Sequence, residues 1–264
     1  MPAAYTHYRF GRDVLRLLPP EKRQIIASHR ALYDIGLHGP DIFFFYRPLT
    51  DNAVARMGHS LHRQTGATVL RRMAALLAQA PSEAAAAYLY GFLCHFALDS
   101  ACHGYVGQME ALGVGHALLE TQLDRSYLVE DRLDPERVNP TGHLRPSPEA
   151  ARVIAAFFPQ VTEREVEASI RDMIRVQQLL LPTSQAKRAM LQGAARFLKK
   201  DFVAEMVMPA RESLACRQMV VRLRAMYEEA LPVAVSLIED FPRLDHAAYA
   251  YNFEGIRTGE EEAR

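Results

Sequence analysis

The stretch Tyr90-Gly-Phe-Leu-Cys-His-Phe-Ala-Leu-Asp-Ser-Ala-Cys-His-Gly104 carries three side chains that can bind a metal: His95, Asp99 and His103. They fall at i, i+4 and i+8, and at ~100° per residue such a row shares one face of a helix. His116 and Glu120 form a second i, i+4 pair thirteen residues further on, so the two rows place five metal-ligand side chains within 26 residues of largely apolar sequence. Buried His, Asp and Glu are costly unless paired or metal-bound. A core histidine hydrogen-bonded to an aspartate would satisfy one HxxxD pattern, but two adjacent rows ask for a cation between two helices. Imidazole and carboxylate donors without paired cysteines suit Zn²⁺, with Mn²⁺ or Fe²⁺ as alternatives. Upstream stand His7, Asp41 directly after Gly39-Pro40, and the i, i+3 pair His59 and His62. His29, His143 and His246 have no ligand-type neighbours at useful spacing and read as structural, and His38 reads as a loop residue.

These residues need helices to position them, and the chain reads as all-α. The run after Pro81-Ser82 has no proline before Gly104 and predicts a buried central helix ending there, followed by a glycine-containing link to Gly115 and a helix to about residue 133. A first helix over 4–18 stops at Pro19-Pro20, and a second opens at Pro20 and ends before Gly36. Residues 36–50 read as a long loop with a run of aromatics. Asp51 is the expected cap of a third helix, which carries His59 and His62 and is interrupted near Gly66. The polar, proline-rich segment 134–148 is the best candidate boundary. Helices over 149–157, from the capping box at Thr162–Glu165 to 181, over 185–198 and over 211–240 follow, the last kinked or broken at Pro232. The tail GEEEAR reads as frayed. No period-2 alternation or hairpin signal appears. The expectation is one multi-helical bundle of eight to ten helices over 1–264, with a metal-binding core in 1–133 and supporting helices in 149–264.

Composition narrows the partners. Apolar residues make up 49% and charged residues 23% of the 264, and the formal net charge is zero, so no global basic field recruits nucleic acid. The motifs GxxxxGK[ST], GxGxxG and GxSxG are absent. No apolar run reaches the ~20 residues of a membrane span. The N-terminus lacks a charged region followed by an apolar one, and the three cysteines follow no CxxC spacing, which points to a reducing, cytoplasmic setting. Cys102, beside His103, reads as a small buried filler or a soft extra ligand.

The order His7, Asp41, His59/His62, His95, Asp99, His103, His116, Glu120 resembles the bacterial zinc-dependent phospholipase C family. The motifs that carry the likeness are YTHYRFG, LHGPDIFF, GHSLHRQTG, GFLCHFALDSACHG and GHALLE, spread over roughly residues 1–125, with NFEG at 252–255 as a weaker match. Single-strand-specific zinc nucleases share its general plan. The resemblance implies an all-helical fold around two or three zinc ions. One ion would be held by Asp41, His59 or His62, His95 and Asp99, and a second by His103, His116 and Glu120. A third would lie near His7 and the N-terminal backbone, with Asp99 bridging to the first. Two departures stand out. Secreted members begin with a tryptophan whose amine binds metal, and this chain has no tryptophan. They also place more residues between the bridging Asp and the next His.

The chemistry expected of such a centre is phosphodiester hydrolysis. Zinc lowers the pKa of bound water towards ~7, and paired metals hold nucleophile and phosphoryl oxygen for in-line attack. Asp41 is the candidate catalytic residue, orienting or deprotonating the water. Phe44, Tyr88 and Phe92 are candidate pocket residues beside the metals, although the aromatic run at 43–46 also reads as core packing. The partner expected is a small-molecule or lipid phosphodiester. The competing readings are a nuclease-like zinc phosphoesterase and a non-catalytic helical metal-binding module.

Overall fold

A computed structural model describes residues 3–257; the tail GEEEAR lies outside the described residues. Twelve α-helices are present among them, together with two short 3₁₀ segments and no β-strand. Helix α1 spans Ala4–Leu17, α2 Pro20–Ser28 and α3 Arg30–Gly36, followed by a 3₁₀ segment over Gly39–Phe45. Then come α4 (Ala53–Arg63), α5 (Gly66–Gln79), α6 (Glu83–Ala111) and α7 (His116–Glu130). The second half holds α8 (Pro148–Ala155), α9 (Glu163–Leu180), α10 (Gln185–Phe197), α11 (Asp201–Glu205) and α12 (Arg217–Asp240), then a second 3₁₀ turn over Ala247–Ala250.

Helix α6 is the axis of the bundle. At 1.5 Å per residue its 29 residues run about 43 Å, and every residue from Ala87 to Asp99 is buried. A helix apolar on all sides must be surrounded, and α1, α3, α7 and α12 pack around it. Its closest neighbour is α3. A Cβ on Gly36 would lie 2.2 Å from the Tyr88 carbonyl, and one on Gly91 would lie 2.2 Å from the Tyr33 carbonyl. Two facing glycines thus let the backbones touch. One hydrophobic cluster runs from Ala4 through α6 and α12 to Phe253.

Several boundaries differ from those expected. Helix α6 continues past Gly104 for two more turns and ends at Ala111, two residues before Gly113, whose φ is +88°. The expected second helix is two, divided at His29, which leaves helical geometry at φ −128°, ψ 40°. Asn52, rather than Asp51, caps α4 by accepting from the Ala55 N–H, and Thr65 caps α5 by accepting from Thr68. The expected 211–240 helix starts at Arg217, and Pro232 sits inside it without ending it. The carbonyl that loses its donor belongs to Glu228, a solvent-exposed residue. These divisions and the short α11 account for the helices beyond the eight to ten expected.

Candidate metal centre

The centre lies where α6 is crossed by α1, by the Gly39–Phe45 turn, by α4 and by α7. Asp99 is its hub. Its Oδ2 lies 3.0 Å from His95 Nε2 and 3.8 Å from His62 Nε2, while its Oδ1 lies 3.2 Å from His7 Nε2 and 3.6 Å from His103 Nε2. Asp41 Oδ1 approaches His62 Nε2 to 2.8 Å and His95 Nε2 to 3.9 Å. On the other side Glu120 Oε1 stands 3.2 Å from His103 Nε2 and 3.5 Å from His116 Nε2. Two groups result, each with donor atoms within 4.8 Å of one another: Asp41, His62, His95, Asp99; and His103, His116, Glu120. Asp99 offers one oxygen to each side.

The backbone around the site fits this arrangement. Gly39 has φ +47°, and a Cβ there would fall 2.2 Å from the His95 ring. Only glycine lets the turn carrying Asp41 close over that imidazole. The i+8 row on α6 and the i+4 pair on α7 face each other as the spacing requires. Of His59 and His62, the structure brings His62 into the cluster and leaves His59 exposed, stacked on Phe44 at 4.2 Å between centroids. His62 shares the buried face of α4 with Val54, Gly58 and Leu61, and His59 falls off it.

The imidazoles are oriented from behind. His95 Nδ1 donates to the Leu37 carbonyl (3.2 Å), His62 Nδ1 to the Gly58 carbonyl (3.0 Å) and His103 Nδ1 to the Phe253 carbonyl (2.9 Å). A carbonyl has no proton to give, so each Nδ1 carries the hydrogen and a neutral ring turns its Nε2 lone pair inward. Glu110 plays the same part for His116 at 3.3 Å. His95 Nε2, Asp99 Oδ2 and Glu120 Oε2 are buried without a hydrogen-bond partner among the described residues. Buried lone pairs that converge in this way are what a cation would satisfy. The donor set of imidazole and carboxylate fits zinc.

Without metal, the same residues form an ion-pair lattice. Burial pushes Glu120 up, but hydrogen bonds from His103 and His116 outweigh it and bring the carboxyl down to about 2. Burial likewise opposes charge on His103, yet Asp99 and Glu120 raise it to about 9. Asp99 is buried too, and the surrounding imidazoles hold it well below the usual carboxylate range. Metal binding therefore has to displace protons from this lattice.

Not every candidate reaches the centre. Tyr88 and Phe92 are fully buried, Tyr88 packing on Phe92 and Phe157, and Phe92 on Phe158 and Phe253. They share the helix face of the ligand row, but there that face is covered by Phe157, Phe158 and Phe253, so both rings are core. Phe44 is half-buried against His62 at 4.8 Å and stands at the rim. Cys102 is buried and belongs to neither ligand group. His7 joins the hub and stacks on His95 at 4.5 Å.

Three features escaped the spacing argument. The segment 251–257 crosses the cluster: the Phe253 N–H donates to the His62 carbonyl, its own carbonyl holds His103, and its ring packs on His62 and His95. Asp124 extends the His116–Glu120 row by another four residues. It belongs to neither ligand group; it accepts from the Tyr5 N–H, Thr6 N–H and Thr6 hydroxyl and caps α1 from outside, setting His7. Burial raises its carboxyl to about 7 despite those donors. His38 and His143, expected to be plain loop and structural residues, face each other with Nε2 atoms 2.8 Å apart.

No curated protein and no solved structure matches the chain. A family model described as zinc dependent phospholipase C matches residues 6–172, which is more than half of the sequence and includes every residue of both ligand groups. The chain belongs to the zinc-dependent phospholipase C family.

Proposed function

We propose that the protein is a zinc phosphodiesterase that cleaves a phospholipid between the glycerol oxygen and phosphorus. The observation that carries this reading is the place of Asp99 between two adjacent imidazole–carboxylate groups, its Oδ2 3.0 Å from His95 of one and its Oδ1 3.6 Å from His103 of the other. Asp41, His62, His95 and Asp99 would hold one ion, and His103, His116 and Glu120 a second, with His7 beside Asp99 as the place for a third. Zinc, when bound, supplies Lewis acidity to the phosphoryl oxygens and makes water more acidic. The protein's own contribution is to fix the donors and to handle the proton. Asp41, facing His62 and His95 from the Gly39–Phe45 turn, orients the attacking water and takes its proton as the new P–O bond forms. The bond to the glycerol oxygen breaks opposite, and that oxygen leaves as diacylglycerol carrying the proton that Asp41 took from the water, with the phosphomonoester of the head group as the other product. Substrate approaches from the His116 side, because His116 is 26% exposed while the other ligand-group side chains are almost completely buried.

No described helix is long and apolar enough to cross a membrane. A cytoplasmic location rests on the three free, buried cysteines, and cell fractionation tests it. The functional reading is tested by offering the zinc-loaded protein phosphatidylcholine, phosphatidylethanolamine, phosphatidylglycerol and single-stranded nucleic acid. Release of diacylglycerol from a phospholipid is expected. Turnover of nucleic acid alone would replace the reading with a nuclease, and bound metal without any turnover would replace it with a metal-binding module.

A further inference from the structure

The hairpin of α10 and α11 ends in an apolar tip set among cations. Phe197 is 87% exposed, Leu198 65% and Phe202 51%. Arg196, Lys199 and Lys200 are interleaved with them and exposed, and none forms an ion pair among the described residues. Asp201 is the one acid in the segment. Exposed apolar residues standing singly need no explanation, but three large ones within six residues do. The chain turns between the helices at Lys199, whose φ is +54°.

The hairpin has a defined place beside the metal centre. Helix α11 packs on α7: the Thr121 hydroxyl donates to the Glu205 carbonyl at 3.1 Å, and the Glu205 carboxylate fills the space where a Cβ on Gly115 would sit. Three residues before Gly115, Leu112 ends α6 with 76% of its surface exposed. Both features therefore flank the start of α7, which carries His116, the exposed member of the ligand groups. The hairpin lies beyond the residues matched to the family.

Apolar side chains that project among unpaired lysine and arginine match the headgroup zone of an anionic bilayer. There the rings enter the acyl boundary and the cations meet phosphate. The buried centre of a protein interface is instead depleted of charge. We propose that residues 196–202, with Leu112, form a docking patch for an anionic phospholipid surface that presents the His116 side of the centre to the lipid. Its purpose rests on the phospholipid reading above; its test does not.

The test is co-sedimentation of the zinc-loaded full chain with vesicles of phosphatidylcholine alone and of phosphatidylcholine mixed with phosphatidylserine. Binding to the mixed vesicles is expected, with little to the neutral ones. Replacing both lysines, Lys199→Gln with Lys200→Gln, should lower partitioning by about 30-fold, at ~1 kcal/mol per basic residue near the surface. Phe197→Ser with Phe202→Ser should lower it at least ~10-fold, with thermal melts unchanged because both side chains are exposed. Failure of the parent to bind mixed vesicles, or equal binding by the variants, overturns the proposal. So does self-association of the parent that the phenylalanine variant abolishes without any vesicle binding, since a second copy would then cover the patch. Turnover of a soluble short-chain phosphodiester separates the two readings. Vesicle binding without any turnover leaves the patch standing and removes the enzyme, whereas turnover without vesicle binding does the reverse.

Discussion

Replacing Glu120 with glutamine changes one charge at constant shape, and the lattice around it sets the size of the effect. Glu120 is 3% exposed, 3.2 Å from His103 and 3.5 Å from His116. Those imidazoles bring its carboxyl from 4.5 to about 2 in the metal-free protein. At 1.36 kcal/mol per unit, the shift corresponds to a ceiling of about 3 kcal/mol of stability at neutral pH. The folded value lies below the unfolded one, so this stability is present above about 4.5 and is lost as pH falls towards 2. Glu120→Gln stripped of metal should therefore melt about 6–12 °C below the stripped parent at neutral pH. The gap should close as pH falls below the ordinary carboxylate value. Paired thermal melts of chelator-treated proteins across pH read this directly. A variant as stable as the parent at neutral pH would refute the lattice, because the Glu120 charge would then contribute nothing beyond its own cost of burial.

Two further outcomes follow from the same geometry. Asp41→Asn should lower phosphodiesterase turnover at least ~100-fold and weaken the ion held with His62, His95 and Asp99, while the His103–His116–Glu120 ion stays; unchanged turnover in a steady-state assay would remove Asp41 from the chemistry. Asp124→Ala deletes three hydrogen bonds to Tyr5 and Thr6 and strands two buried helix-start N–H groups. A loss of about 2–4 kcal/mol in denaturant unfolding is expected, and a loss under ~0.5 kcal/mol would show that α1 needs no cap from α7.

Local spacing made the centre legible. The rows at 95, 99, 103 and at 116, 120 survive folding because four-residue steps keep to one helix face whatever surrounds the helix. The sequence left His59 and His62 both open; the structure separates them, because Val54, Gly58, Leu61 and His62 form the buried face of α4 and His59 lies outside it. Tyr88 and Phe92 were misread because periodicity gives a face and not what covers it; Phe157, just after α8, and Phe253 seal that face from far along the chain. The hold of the Phe253 carbonyl on His103 spans 150 residues through a backbone atom, so no side-chain pattern announces it. Asp124 carried a signal, four residues after Glu120, but its role depends on where α1 begins in space. The end of α6 moved from Gly104 to Ala111 because a glycine inside a well-packed helix costs only about 1 kcal/mol.

The account's central claim is that these two ligand groups hold zinc for phosphodiester hydrolysis. Elemental analysis of the gently purified protein, run beside a phospholipid turnover assay before chelation, after it and after zinc is restored, tests this most directly. At least two zinc ions per chain are expected, one for each group, with turnover lost on chelation and recovered on reloading. Less than one ion per chain, or turnover that survives complete removal of the metal, would contradict the account.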